Sequence, residues 1–512
     1  MTDLFNAPDI NFLALLPLII VYVGGLLGVL AEGFIGRTAR YAVQLPLAVA
    51  TLVLAFVAIT VLGPKHQTLT AADAVAIDGP ALILQALIVL LALMGLLVMA
   101  ERFGGQHADA FTQAGAATPG SAEEAYAGRL GGTTTEIFPL MMLCTAGLML
   151  FVSANDLLVL FIALETLSLP LYILTGLARR RRLLSQEAAL KYFLLGSFSS
   201  AFYLFGAVLL YGYAGSMRFG DIADAISSSV GMDGLLVPGI LLVAVGLLFK
   251  VGAVPFHAWT PDVYQGAPTA VTGFMAAGTK VAAFGAMLRV FYVAVEGARL
   301  EWQPILAVVA ALTMIVGAVI SVVQTDVKRI LAYSSIAHAG FVLTGLIAMD
   351  QAGITSVIFY LFAYGFMTIP AFAYVAMVRS SGTEASQIGQ WSGLGKRAPW
   401  MAAGFTFLML AFAGIPLTSG FTGKFAVFTA AISQGYAWLA VIGVLASAVT
   451  AYIYFKLVVQ MWLGDEVGDT VVATPSILTT VVVVVGLAVT LGLGILPAPL
   501  LDLAQSTSAF LR

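Results

Sequence analysis

Leu241-Leu-Val-Ala-Val-Gly-Leu-Leu-Phe249-Lys250-Val-Gly-Ala-Val-Pro255-Phe256 is apolar enough to cross a membrane, yet it carries a lysine. The next apolar run has the same design: Val271–Thr279, then Lys280, then Val281–Leu288. A charged side chain at a bilayer centre costs roughly 2.5–3.5 kcal/mol on insertion scales. Glu165, Lys191 and Lys424 stand in similar runs. Five such penalties are hard to assign to packing, and they point to a path for ions or protons.

Composition supports a membrane setting. The chain has 512 residues, 61% hydrophobic and 10% charged, with a mean hydropathy of +1.01. Soluble domains carry about 25% charged residues. The fold class expected is therefore all-α, a polytopic membrane protein. A net charge of −3 says little about partners, and no basic tract with interleaved aromatics suggests nucleic acid. Cys144 is the one cysteine, so no internal disulfide, iron–sulfur or thiolate zinc site is expected. The histidines His66, His107, His257 and His338 lack metal-ligand spacing. No Rossmann or P-loop glycine pattern stands out, so electron chemistry belongs elsewhere. Asp3 and Asp9 precede the first apolar run, and no Lys or Arg comes before Arg37. That reads as a retained helix and not a secretory signal.

A spanning helix needs about 20 mostly apolar residues. Fourteen candidates lie at about 11–31, 40–62, 80–101, 135–153, 156–177, 187–213, 235–257, 266–294, 303–323, 329–348, 353–378, 400–430, 436–462 and 474–496. One set of connections holds Arg37, Arg40, Arg102, Arg129, Arg179–Arg182, Lys328, Arg329, Arg379, Lys396 and Arg397. The other set, with the termini, holds Lys65, Arg218, Arg299 and Arg512. The basic set is expected on the cytoplasmic side. An even number of spans then places both termini outside. Arg179–Arg182 reads as a topology anchor. Residues 102–134 read as a cytoplasmic loop, with room for a surface helix. Residues 216–233, with Asp221 and Asp224, read as a short amphipathic helix outside.

Two segments hint at an internal repeat. Lys250-Val-Gly-Ala-Val-Pro255 and Gly414-Ile-Pro416-Leu-Thr-Ser-Gly420-Phe-Thr-Gly-Lys424 both set Gly and Pro beside a lysine. Proline removes a helical hydrogen bond and clashes with the preceding turn. In lipid the freed carbonyls need a cavity, water or polar neighbours. Five spans separate the prolines, an odd number, so the second unit would be inverted. Two ordinary proline kinks are the competing reading.

Each charged group suggests a use. Glu165 is the one carboxylate placed deep in a span; burial alone raises its pKa and a nearby lysine lowers it. Such sensitivity suits a proton switch, whereas a structural ion pair is the alternative. Desolvation lowers a lysine pKa into a range where Lys250 loads and releases protons. Lys280 is mid-span in the next helix, after the short connection Trp259–Pro268. Lys191 lies about one turn inside the bilayer and could snorkel. Lys424 follows the Gly414–Gly420 break and suits an exit group. His338, among small polar neighbours, either relays protons or bonds to a carbonyl. His257 is expected near an interface, and Arg289 and Lys456 near helix ends, snorkelling.

The ordered set Glu165, Lys191, Lys250 with Pro255, Lys280, then Pro416 with Lys424 resembles the antiporter-like membrane subunits of respiratory complex I. The specific stretch is Phe249-Lys250-Val-Gly-Ala-Val-Pro255-Phe-His-Ala-Trp-Thr-Pro-Asp-Val-Tyr-Gln-Gly-Ala-Pro268-Thr. Val-Tyr-Gln-Gly-Ala-Pro and the lysine at 424 are the forms of the N branch of that family. The resemblance covers essentially the whole chain and is strongest over 135–430. It implies about 14 transmembrane helices, in two inverted five-helix repeats with broken helices 7 and 12. It implies four parts: 1–134, 135–300, 301–465 and 466–512. It further implies that Glu165 and Lys250 form a charged pair, that Lys280 is the central connection and that Lys424 faces the exit. Lys191 and His338 join them as proton-transfer candidates. No cofactor is expected in this chain; FMN and Fe–S clusters are expected in partner subunits, which handle NADH and quinone. The expected partners are a neighbouring antiporter-like subunit of the M type, small subunits such as K, and lipids of a bacterial inner membrane. The rivals are an Mrp-type cation/proton antiporter subunit, a hydrogenase-type membrane subunit, and a scaffold whose charges only hold helices together.

Overall fold

Short polar residues open many of the helices of the computed structural model. Asn11 accepts the Ala14 amide and starts α1 (Phe12–Phe34). Asp78 starts α3 (Gly79–Met99), Asp156 starts α6 (Leu157–Thr175), Asp326 starts α13 (Val327–Ile347) and Asp350 starts α14 (Gln351–Met377), each accepting amides of the first turn. These caps satisfy donors that have no intrahelical partner. The structure describes residues 10–102, 109–130, 133–228, 233–380, 383–466 and 468–512. Asp3, Asp9 and His107 lie outside the described residues, as does the side chain of Arg129.

The remaining helices are α2 (Arg37–Val61), α4 (Ala122–Leu130), α5 (Ile137–Ser153), α7 (Arg182–Ala214), α8 (Phe219–Ser227), α9 (Asp233–Val251), α10 (Trp259–Gly266), α11 (Thr269–Arg289), α12 (Arg299–Val322), α15 (Leu394–Arg397), α16 (Pro399–Ala413), α17 (Ser419–Ser433), α18 (Ala437–Leu463), α19 (Ile477–Ile495) and α20 (Ala498–Ser506). Among the described residues, 12 helical segments are long and apolar enough to cross a membrane; α5 and α16 are shorter apolar helices. The fold is all-α in its spanning part. Short strands decorate the ends: β1 (Thr68–Thr70) pairs with β2 (Val75–Ile77), and β3 (Val378–Ser380) pairs with β4 (Thr383–Glu384) and β5 (Thr470–Val472), all antiparallel. The helices expected in the two long connections are present as α4 and α8.

Burial sorts the helices into a centre and a rim. The apolar stretches of α11 and α13 are 100% buried, against 39% in α1 and α18 and 28% in α19. α11 packs on α3, α5, α9 and α14, and α13 on α12, α14 and α17. Lys280 and His338 thus sit on the two most enclosed helices. The rim helices present Leu, Val, Ile and Phe outward, as lipid-facing surfaces do.

Two breaks interrupt this regularity. α9 ends at Gly252, whose φ of +73° is left-handed, and Ala253 N closes on the Leu248 carbonyl at 2.9 Å. α16 ends at Gly414, with φ +83°, and Ile415 N closes on the Leu410 carbonyl at 3.1 Å. Glycine adopts this conformation without the Cβ penalty other residues pay. Beyond the first break the sequence suggested a plain connection, but Trp259–Gly266 forms a helix of eight residues. Its anchor is aromatic: Trp259 stacks on Tyr192 at 4.7 Å and on Phe249 at 5.4 Å.

Candidate functional site

Lys250, at the last turn of α9, is buried. Its Nζ donates to Ser168 Oγ on α6 at 2.7 Å and lies 5.3 Å from the Tyr192 ring and 5.8 Å from the Tyr172 ring. Ser168 in turn donates to the Leu164 carbonyl. Glu165 is half-buried one turn earlier on α6, and its Oε1 accepts from Ser200 Oγ of α7 at 2.5 Å. The expected Glu165–Lys250 pair is therefore not a direct contact. The two groups flank one turn of α6, each held by a serine.

Lys280 is buried on α11 and donates to the Ser335 carbonyl and, at 2.8 Å, to Ser335 Oγ of α13. Tyr364 of α14 donates to the same hydroxyl at 2.8 Å, and its ring lies 5.2 Å from the amine. His338, one turn along α13, bonds through Nδ1 to the Tyr360 hydroxyl at 2.8 Å. It thus bonds to a phenol, and not to the carbonyl that was one of the two readings weighed for it. Its Nε2 is buried, with no hydrogen-bond partner among the described residues. The His338 ring lies 5.4 Å from the Tyr364 ring and 5.5 Å from the Phe412 ring.

Lys424 caps the second break. Its Nζ donates to the Phe412 and Ala413 carbonyls, each at 2.9 Å, and to Ser447 Oγ at 2.7 Å. A cation there meets the negative end of α16. At the first break a different group does this work: the Trp259 indole donates to the Phe249 carbonyl at 2.9 Å, and Thr313 Oγ1 accepts the Val254 amide at 3.0 Å. His257 sits half-buried in that break.

The structure brings Lys280, His338 and Lys424 into one buried tract through Tyr364 and Phe412, with Lys250 on the neighbouring α9. Lys191 stands apart. It is 42% exposed and held between Glu187 and Asp262, each at 2.7 Å. Asp262 also accepts from Arg329 at 2.8 Å, which ties α10 to α7 and α13. Ser168, Ser335, Tyr360, Tyr364, Ser447 and Asp262 escaped the sequence reading, because partners of a buried amine come from distant helices. Arg289 needs correction. It does not snorkel; it is fully buried and forms a bidentate pair with Asp78, at 2.6 and 2.9 Å. The Asp78 carboxylate, placed as the cap of α3, supplies the countercharge that makes burial tolerable. Arg179–Arg182 anchor more than topology: Arg179 pairs with Asp109, and Arg182 holds the Ala114, Gly115 and Gly176 carbonyls. Among the described residues no cluster of His, Cys, Asp and Glu could hold a metal ion.

Residues 154–450 match the family described as NADH:quinone oxidoreductase/Mrp antiporter, TM. NADH-quinone oxidoreductase subunit N 3 of Streptomyces griseus is 52% identical over 99% of this chain and 96% of its own length. Subunit N of Mycobacterium bovis is 49% identical over 99% of both. Among solved structures, a chain of respiratory complex I from Thermus thermophilus is 32% identical, with a TM-score of 0.77, covering 96% of this chain and 99% of that one. A chain of the Mrp complex from Dietzia, 22% identical with a TM-score of 0.78 over 98% of this chain and 97% of its own, shares the fold. With half the residues shared from end to end with subunit N chains, and the same architecture, the chain belongs to the antiporter-like NADH–quinone oxidoreductase subunit N family.

Proposed function

We propose that this chain translocates protons across the membrane as a membrane-arm subunit of NADH–quinone oxidoreductase. NADH oxidation and quinone reduction fall to partner subunits carrying FMN and Fe–S clusters. The observation that carries the reading is the partnering of the buried amines. Lys250, Lys280 and Lys424 bond to serines, carbonyls and ring faces, and none belongs to an ion pair among the described residues. A scaffold charge would be neutralised, as Arg289 is by Asp78, because an unpaired buried charge costs several kcal/mol. An amine held only by neutral groups is instead poised to give up its proton.

In this mechanism a charge change in a neighbouring subunit reaches Glu165. Drawing Glu165 toward or away from the α6–α9 contact alters the field at Lys250 and so its hold on a proton. That change pushes a proton via Lys280, then past His338, whose Nε2 is placed to accept it, to Lys424 and the far side. Moving one charge against 100 mV costs about 2.3 kcal/mol. A swing of two pKa units supplies about 2.7 kcal/mol, so the scale is adequate. Lys191, in its ion triad with Asp262, acts at the margin of this route.

The same proposal covers organisation. Residues 135–300 and 301–465 form two inverted five-helix repeats, each with one broken helix, in a set of fourteen spans; 1–134 and 466–512 flank them. Both termini lie on the periplasmic face of a bacterial inner membrane, beside an M-type subunit and small subunits such as K. The decisive experiment is Lys280→Met in the assembled complex in sealed vesicles. NADH-driven proton uptake should collapse, while NADH oxidation by an artificial acceptor that bypasses the membrane arm is retained. Uptake at the parental rate would defeat the reading.

A further inference from the structure

The route above leaves open where Lys280 obtains its proton. A cavity of about 50 Å³ opens at the end where the arginines gather, between the loop after α3, the start of α7 and the α10–α11 junction. It has room for a few waters. Its lining includes Asp109, Arg181, Gln265, Lys328 and Glu384. Lys328 is 2% exposed; its Nζ donates to the Ala267 carbonyl at 2.7 Å and pairs with Glu384 at 3.6 Å. An ammonium has three donors, which leaves one to face the cavity that Lys328 lines. Glu384 Oε2 accepts from Thr269 Oγ1 at 2.6 Å. Arg180 is exposed and also lines the cavity, while other charges at this end are committed elsewhere. Asp326 caps Lys328 and Arg329 and accepts from Gln265; Arg181 holds Ser386 and the Glu384 carbonyl. Burial pushes the Asp109 carboxyl up, while the Arg179 guanidinium and the Thr134 amide hold it down.

The register of two helices connects this mouth to the depth of the site. On α11, Thr269 and Lys280 are eleven residues apart, three turns on one face, with Thr272 between them. On α13, Lys328 and Ser335 are seven residues apart, two turns on one face. Lys280 and Ser335 bond to each other. The seam that carries Glu384 and Lys328 at its mouth therefore carries the Lys280 amine at its base.

We infer that this cavity is the loading vestibule for Lys280, in which Glu384 and Lys328 take protons from water and pass them down the α11–α13 seam. The inference rests on the proton-translocating reading. One proton leaves water, is held in turn on the Glu384 carboxylate and the Lys328 amine, and arrives on the neutral Lys280 amine. Each carrier returns to its starting state, and no other bond changes.

The test compares Glu384→Gln, Lys328→Arg and Lys280→Met in the assembled complex in sealed vesicles. Lys328→Arg keeps the charge but cannot release a proton at accessible pH. Each variant should lower NADH-driven proton uptake roughly a hundredfold, the low end for loss of a proton-transfer group, with artificial-acceptor activity retained. Lys328→Arg at the parental rate would show Lys328 to be structural and overturn its role. Glu384→Gln and Lys328→Arg both at the parental rate, with Lys280→Met defective, would overturn the vestibule and leave the wider reading intact. All three at the parental rate would overturn both. Should Lys328→Arg fail to assemble, Glu384→Gln decides together with Gln265→Cys. That cysteine should react with a charged, water-soluble thiol reagent in the intact complex, and failure to react would mean a dry cavity and no vestibule.

Discussion

Lys280 and Arg289 stand nine residues apart on α11, both buried, and they are partnered in opposite ways. Arg289 has a carboxylate at 2.6 Å; Lys280 has a serine and a ring face. Their removal should therefore affect stability differently. Arg289→Met leaves Asp78 buried and unpaired, which costs about 3–5 kcal/mol. Thermal unfolding of the purified complex should show that loss, and Arg289→Met with Asp78→Asn should recover part of it. Lys280→Met removes an uncompensated charge, so the same measurement should show unchanged or raised stability while proton uptake is lost. This contrast also explains what was readable from sequence. A lone lysine in an apolar run is a local signal, and Lys250, Lys280, Lys424 and His338 were found that way. The Arg289 partner lies 211 residues away, and no local pattern announces it. Ser168 and Ser335 were hidden for the same reason.

Among the helices, the two breaks were legible because Gly and Pro disrupt helices locally, whatever surrounds them. What fills each break was not legible. The Trp259 indole closes the first and the Lys424 amine the second. Trp259→Phe should keep most of the aromatic stack but strand the Phe249 carbonyl, at a cost of about 1–3 kcal/mol. The expected readout is lower thermal stability with α10 more accessible to protease. Gly420 holds the second break closed: a Cβ there would sit 1.9 Å from the Ala411 carbonyl oxygen. Gly420→Ala should push α17 from α16, draw the Lys424 amine off its carbonyls and reduce proton uptake. Gly420→Ala with parental uptake would mean that the amine does not depend on this packing. Helix positions were readable from the length of the apolar runs, whereas the Asp and Asn caps appear only in the structure. α10 was not readable, because eight residues with Pro261 near the start look like a connection until Tyr192 and Phe249 are seen to hold them.

Across the whole molecule, charge should set the direction of insertion. The vestibule end gathers Arg179, Arg181, Arg182 and Lys328, while the opposite end holds α8, with Asp221 and Asp224 exposed. Lys and Arg excess marks the cytoplasmic side, so the vestibule should open to the cytoplasm, the side from which protons are taken. The molecule suits a direct check, since its one cysteine, Cys144, is buried and should be silent to aqueous reagents. Ser228, after α8, and Gly389, in the turn after β4, are exposed at opposite ends. An added Cβ at Gly389 meets nothing within 4 Å, so a side chain there is tolerated. Ser228→Cys should react with a membrane-impermeant thiol reagent in cells or right-side-out vesicles, and Gly389→Cys only in inverted ones. The reverse pattern would place the vestibule on the outer face. Lys424 would then lie nearer the cytoplasm than the loading cavity, and the proposed route would run against the direction of pumping.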